Sequence, residues 1–206
     1  MTIKTFNLGP LQTNCYVLAD DKKAVVIDPG GDPAEVVDYL KANDLTVTHI
    51  LNTHLHFDHT AGNKELSEIT GAPILCSEED ADLLDSWLGR GGDMGLPVLD
   101  LYEWQNVKPG EAQFAGFDCT IFHTPGHSKG SLTFYFPEAK VAFVGDLIFY
   151  RSIGRTDFPG GDLDILKRSV TEHIFTLPPN TKLLSGHGPE TTVSDEQNHN
   201  PFFSEF

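Results

Sequence analysis

The sequence predicts an α/β fold, of the α+β kind, in which two β-sheets pack face to face with helices outside. Three observations carry this expectation. At 206 residues the chain is long enough for one domain with a buried core. Short β-branched and aromatic runs, separated by Gly, Pro and Asp, mark strands in both halves. Each half also repeats one order: strands, then a strand-end loop holding histidine, then a helix. A single domain over residues 1–206 is therefore expected, with ligand-bearing loops gathered along one edge.

The elements follow in order. Thr2–Leu8, Thr13–Ala19 and Ala24–Asp28 alternate or run apolar, and Gly9-Pro10 and Asp20-Asp21 separate them as turns. Val36, Val37 and Leu40 stand at helical spacing within Pro33–Asn43, with Asp32 as N-cap and Pro33 as the first helical residue. Thr46–Asn52 reads as strand, Thr60–Thr70 as helix ending at Gly71, and Pro73–Cys76 as a short strand. Ser77–Leu84 opens as a capped acidic helix, Ser77 being the cap and Asp80 the acid three residues on. From Ser86 to Gln105 glycines and aromatics mix, including Trp87 and Trp104, in a loop that either packs on the core or covers a pocket. Phe117–His123, Ser131–Phe136 and Lys140–Val144 are strands again. A glycine-rich stretch, Gly145–Asp162, precedes a helix over Leu163–Phe175, then a strand at Lys182–Leu184 and a short polar helix from Ser194.

Charge narrows the function classes. The net charge of −16 argues against a nucleic-acid or anionic-membrane partner, which needs a basic face. No apolar stretch approaches the length of a membrane span, and the N-terminus lacks the layout of a signal peptide, so a cytoplasmic protein is the expectation. Cys15, Cys76 and Cys119 are scattered in apolar contexts and read as small buried hydrophobes.

The chemistry is concentrated in residues 54–59, His54-Leu55-His56-Phe57-Asp58-His59, which follow the strand ending near Leu51. Three imidazoles and a carboxylate in six residues form a dense set of ligands for divalent metals. In extended chain His54 and His56 point the same way, and a turn into helix near Asp58 swings Asp58 and His59 to a neighbouring position. One loop then offers two ligand pairs to two metals about 3.5–4 Å apart. His127, Asp146 and His187 sit in glycine-rich turns at strand ends, where flanking glycines permit positive φ and close approach of the backbone. His49, His123, His173 and His199 read as exposed or hydrogen-bonded supports.

The series HxHxDH, then His127, Asp146 and His187, resembles the metallo-β-lactamase superfamily. The segments Gly145-Asp146 and Gly154-Arg155-Thr156-Asp157-Phe158 look like its glyoxalase II branch, and the short YcbL-type hydrolases within it. The likeness runs from Leu8 to Phe202. It implies an αββα sandwich and a two-metal site, zinc by default with iron or manganese compatible. His54, His56 and His127 would hold one ion, Asp58, His59 and His187 the other, and Asp146 would bridge them. Asp28 matches the acid that orients ligand histidines, and Asp58 is the residue implied to relay a proton.

The implied activity is hydrolysis of a thioester, of the hydroxyacylglutathione hydrolase type, by a metal-bridging hydroxide. A small-molecule thioester, such as a glutathione conjugate, is the expected partner. Longer relatives contact glutathione partly through a C-terminal helical domain that lies beyond the pattern matched here. Arg155, Arg151 and Lys129 are the candidate cations for an anionic substrate, with Arg90 a further one. A mononuclear iron persulfide dioxygenase, a lactone or ester hydrolase, and a non-catalytic metal-bound module are the alternatives. A β-lactamase proper is disfavoured because those enzymes do not use a bridging acid at Asp146. A flavodiiron protein is disfavoured because an acid would stand at His56.

Overall fold

A computed structural model describes residues 1–93 and 95–203. The chain folds as two compact units, one made of Met1–Val107 with Gln113–Phe117, the other of Lys108–Ala112 with the residues from Asp118 onward.

In the first unit β1 (Thr2–Leu8), β2 (Thr13–Asp20) and β3 (Lys23–Ile27) form an antiparallel meander. Helix α1 (Ala34–Ala42) then crosses to β4 (Thr46–Leu51), which pairs parallel with β3. The chain continues through α2 (Phe57–Thr60), α3 (Asn63–Thr70), β5 (Ile74–Cys76), a 3₁₀ helix over Glu78–Asp85, α4 (Trp87–Arg90) and β6 (Gln105–Asn106). The sheet order is β1-β2-β3-β4-β5-β6. Strands β2 and β3 are buried on both faces, so they read as continuous apolar runs rather than alternating ones. Val17, Val26, Ile50, Val36, Leu40 and Leu66 bring sheet and helices into one apolar cluster.

The second sheet has the order β14-β13-β10-β9-β8-β7. Its strands are β7 (Gly110–Phe114), β8 (Phe117–His123), β9 (Leu132–Phe136), β10 (Val141–Gly145), then, after a small hairpin of β11 (Ile148–Phe149) and β12 (Ser152–Ile153), β13 (Lys182–Ser185) and β14 (Thr191–Thr192). Helix α5 (Leu163–Ser169) packs Leu166 into a cluster with Val144, Leu183 and Val193, the last from α6 (Val193–His199).

Several local expectations change. Pro33 occupies the cap position of α1, and Asp32 acts from one residue earlier, its Oδ1 accepting from the Ala34 N–H at 2.9 Å. The helix expected from Thr60 starts at Phe57 and breaks before Asn63, because the Gly62 N–H donates to the Pro29 carbonyl at 2.7 Å. Ser77 does cap, accepting from Glu79 N–H, but Asp80 turns inward and accepts from the Leu55 N–H at 3.2 Å. The helix expected over Leu163–Phe175 is α-helical only to Ser169 and widens to a π turn over Val170–Ile174. The 86–105 loop packs on its own unit: Tyr102 and Trp104 rest on the apolar cluster, while Gly89 and Gly91 abut the Leu55 carbonyl and the Phe57 ring. Met94 lies outside the described residues. Among them no helix is long and apolar enough to cross a membrane.

Candidate metal centre

Apart from His127, which follows β8, a strand paired antiparallel with β9, the candidate ligands stand beyond the carboxyl ends of parallel strands, where loops are free to carry polar side chains. In the first unit the end of β3 carries Asp28, the end of β4 carries residues 54–59, and the end of β5 leads to Asp80. In the second, β10 and β13 run parallel and end at Asp146 and just before His187. A register shift between Phe143 and Gly145, with Gly145 at φ 52°, bulges the end of β10 and re-aims Asp146.

The first unit's cluster is a hydrogen-bonded frame around three imidazoles. His54, His56 and His59 are buried, and the His54 ring centroid lies 4.7 Å from that of His56 and 4.1 Å from that of His59. Asp28, also buried, accepts at Oδ1 from the Thr53 N–H at 2.8 Å. Its Oδ2 accepts from the Thr53 hydroxyl at 2.6 Å and from His59 Nδ1 at 2.9 Å. A carboxylate only accepts, so His59 carries its proton on Nδ1 and keeps the Nε2 lone pair. The Thr53 hydroxyl has one proton, given to Asp28, and must therefore accept from His54 Nδ1 at 3.1 Å. Asp28 thus sets the tautomer of His59 directly and of His54 through Thr53. Thr53 is an intermediary that sequence reasoning missed.

Close backbone contacts hold this frame. A Cβ on Gly30 would sit 1.7 Å from the Asp58 carbonyl oxygen, and one on Gly62 would sit 2.3 Å from the Gly31 carbonyl oxygen. Asn52 and Asn63 pair through their amides, and Asn52 Nδ2 also donates to the His59 carbonyl at 3.1 Å. Asp58 accepts from the Thr13 hydroxyl at 3.0 Å and lies 3.6 Å, through the same Oδ2, from His59 Nε2.

In the second unit, His127 Nδ1 donates to the Arg155 carbonyl at 2.8 Å, which again leaves Nε2 as the lone-pair nitrogen. Asp146 Oδ2 stands 3.7 Å from His127 Nε2 and 3.6 Å from His187 Nε2. Gly154 makes this possible, since a Cβ there would meet the Asp146 carbonyl oxygen at 1.7 Å. Separations of 3.6–3.7 Å are too long for hydrogen bonds. Two ligands held at about 2.0–2.1 Å on a tetrahedral ion lie roughly 3.4 Å apart, so these donor sets fit a shared ion.

The remaining candidates fall differently. Arg151 is committed to α6: Nη1 donates to Glu196 Oε1 at 2.9 Å, Nη2 donates to Asp195 Oδ2 at 3.0 Å, and its guanidinium covers the Tyr150 ring. These ion pairs tie the Arg151 guanidinium to α6. Arg155 forms a bidentate pair with Asp157 at 2.7 and 2.8 Å and stacks on Phe158, and this pair holds the Asp157 carboxyl below its ordinary range. The Lys129 stem lies against Gly160. Arg90 donates to the Leu99 carbonyl. The three cysteines are buried, and burial raises each thiol, with the Asp28 charge adding to the effect at Cys15. They pack as small hydrophobes, as their sequence context predicts.

The metallo-β-lactamase superfamily pattern matches residues 8–187. The chain is 38% identical to the probable metallo-hydrolase YqgX of Bacillus subtilis, over 97% of this chain and 96% of that one. It is 35% identical to hydroxyacylglutathione hydrolase GloC of Haemophilus influenzae, over 99% of both. Among solved structures it is similar to BLEG-1 B3 metallo-β-lactamase, with TM-score 0.93 and 38% identity over 99% of this chain and 100% of that one. It is also similar to TTHA1623 in a di-iron-bound form, with TM-score 0.86 and 35% identity over 97% and 99%. The chain has the metallo-β-lactamase fold and belongs to the metallo-β-lactamase superfamily, as a metal-dependent hydrolase.

Proposed function

We propose that the chain hydrolyses a thioester of the hydroxyacylglutathione type with two divalent ions, zinc being the resident metal. The observation that carries this reading is the position of Asp146 Oδ2, 3.7 and 3.6 Å from Nε2 of His127 and His187, as suits a carboxylate shared by two ions. Identity of 35% to GloC supports the substrate class. In this reading His54, His56 and His127 would hold one ion, Asp58, His59 and His187 the other, and Asp146 would be shared by both. Ions held by these residues would supply a hydroxide at neutral pH and polarise the substrate carbonyl.

The chain's own residues do the rest. Asp28 and Thr53 keep the His59 and His54 protons on Nδ1, and the Arg155 carbonyl does so for His127. Asp58 is the carboxylate that moves a proton during attack. A thiolate leaves without a separate acid, because the pKa of its thiol lies near 8.5. On a surface of net charge −16, an anionic thiol carrier needs local cations. Lys129 and Arg155 fill that role, Arg155 by exchanging Asp157 for a substrate carboxylate. The acidic surface favours such a small molecule over nucleic acid or membrane as partner.

The test is turnover of an S-(2-hydroxyacyl)glutathione beside a lactone, a β-lactam and a glutathione persulfide with oxygen uptake recorded. Preferred thioester cleavage without oxygen uptake is expected. Oxygen consumption with the persulfide, or preference for the lactone or β-lactam, overturns the assignment.

A further inference from the structure

We propose that Thr13 is a positioning residue for the ion that Asp58 and His59 hold, fixing the Asp58 carboxylate through its hydroxyl. The inference rests on the two-metal reading above.

Asp58 lies on α2, a single turn of four residues, which is too short to hold a side chain by its own helical order. Its orientation must come from a neighbour. Thr13 opens β2, is fully buried, and donates from Oγ1 to Asp58 Oδ2 at 3.0 Å. The hydroxyl is the donor because an ionised carboxylate only accepts. Thr13 is itself well anchored. It pairs with Leu8 across the β1–β2 ladder, and the turn before it closes as the Gln12 N–H donates to the Gly9 carbonyl at 3.2 Å. Its branched side chain is restricted about χ1, which limits the directions its hydroxyl can point.

Gly30 completes the contact. The position of its absent Cβ is 3.1 Å from Thr13 Cβ and 1.7 Å from the Asp58 carbonyl oxygen, so strand, loop and helical turn meet with no spare room. The oxygen that Thr13 engages is the one 3.6 Å from His59 Nε2. A carboxylate oxygen has two lone pairs, so accepting from Thr13 leaves one directed elsewhere. The hydroxyl would thereby bias how the Asp58 carboxylate is presented to an ion held with His59.

The test is competition of zinc between a chromophoric chelator and the metal-free protein, for wild type, T13V, T13S, D58A and T13V/D58A. Valine keeps the shape and removes the donor; serine keeps the donor. T13V is expected to weaken one of two zinc sites about 10- to 100-fold. T13S should bind as wild type, and T13V should add nothing in the D58A background. Wild-type zinc affinity in T13V, or equal weakening by T13V with Asp58 absent, overturns the inference. So does a metal-free T13V that loses its circular dichroism while T13S keeps it, since the hydroxyl then serves the fold. A wild type that binds a single zinc refutes the two-metal reading instead, and Thr13 is then judged on that one ion by the same comparison.

Discussion

Replacing Asp28 with Asn keeps size and shape and alters only the acceptor pattern, so it isolates what the carboxylate does. The side chain accepts three hydrogen bonds at 2.6–2.9 Å from a buried site. An amide has one acceptor end. If its oxygen takes the Oδ2 position, its NH₂ faces the Thr53 N–H and orphans it, costing about 1–3 kcal/mol. The bonds from Thr53 and His59 also fall from charge-assisted to neutral strength, roughly 1 kcal/mol each. The reverse rotamer points NH₂ at His59 and Thr53 and forfeits both of those bonds. Either way the metal-free protein loses roughly 3–5 kcal/mol. In the second rotamer His59 shifts its proton to Nε2, which removes it as a ligand. Urea unfolding of metal-free wild type and D28N measures the first effect, and zinc competition the second, with a 10- to 100-fold loss expected. An unchanged midpoint together with unchanged zinc affinity would refute the reasoning, since no relay would then run through Asp28.

Two further outcomes follow from named contacts. Arg155→Gln should raise KM for an anionic thioester while leaving kcat and metal content unchanged, because His127 is held by the Arg155 carbonyl and not by its side chain; steady-state kinetics with metal analysis checks this, and lost metal contradicts it. The Arg151 hydrogen bond holds the Asp195 carboxyl below its ordinary value of 3.8, so its contribution to stability is present above that pH and is lost as pH falls through the lower folded value. Asp195→Asn should accordingly flatten the acid limb of Tm against pH below about 4, and an identical acid limb in the variant contradicts the assignment.

Much of the fold was legible because buried strands and punctuating turns leave direct traces. The runs at residues 15–19 and 141–144 are apolar throughout because both faces of β2 and β10 are covered. Strand β7 left no such trace: Gly110, Glu111 and Gln113 belong to an edge strand with little to bury. Gly62 does not announce a helix break by itself, since the cause is the Pro29 carbonyl, a partner far away in sequence. Asp80 stood where a capping acid belongs, and only the tertiary position of Leu55 N–H turns it inward.

The candidate ligands were legible because imidazoles clustered with acids are rare and chemically specific. Their supports were not. Thr13, Thr53 and Asn63 are ordinary residues in sequence, and only packing shows that their polar atoms face the ligands or the loop that carries them. The partners of Arg151 were not legible either, since only the fold brings Glu196 and Asp195 against its guanidinium.

Under the proposed function, seven side chains would hold two ions, with Asp146 shared between them. Metal content per chain, measured on protein purified without added metal and on its Asp146→Asn variant, tests it most directly. Two equivalents in wild type, falling to one or none in the variant with circular dichroism preserved, is the expected result. One equivalent of iron in wild type, undiminished in the variant, would contradict it.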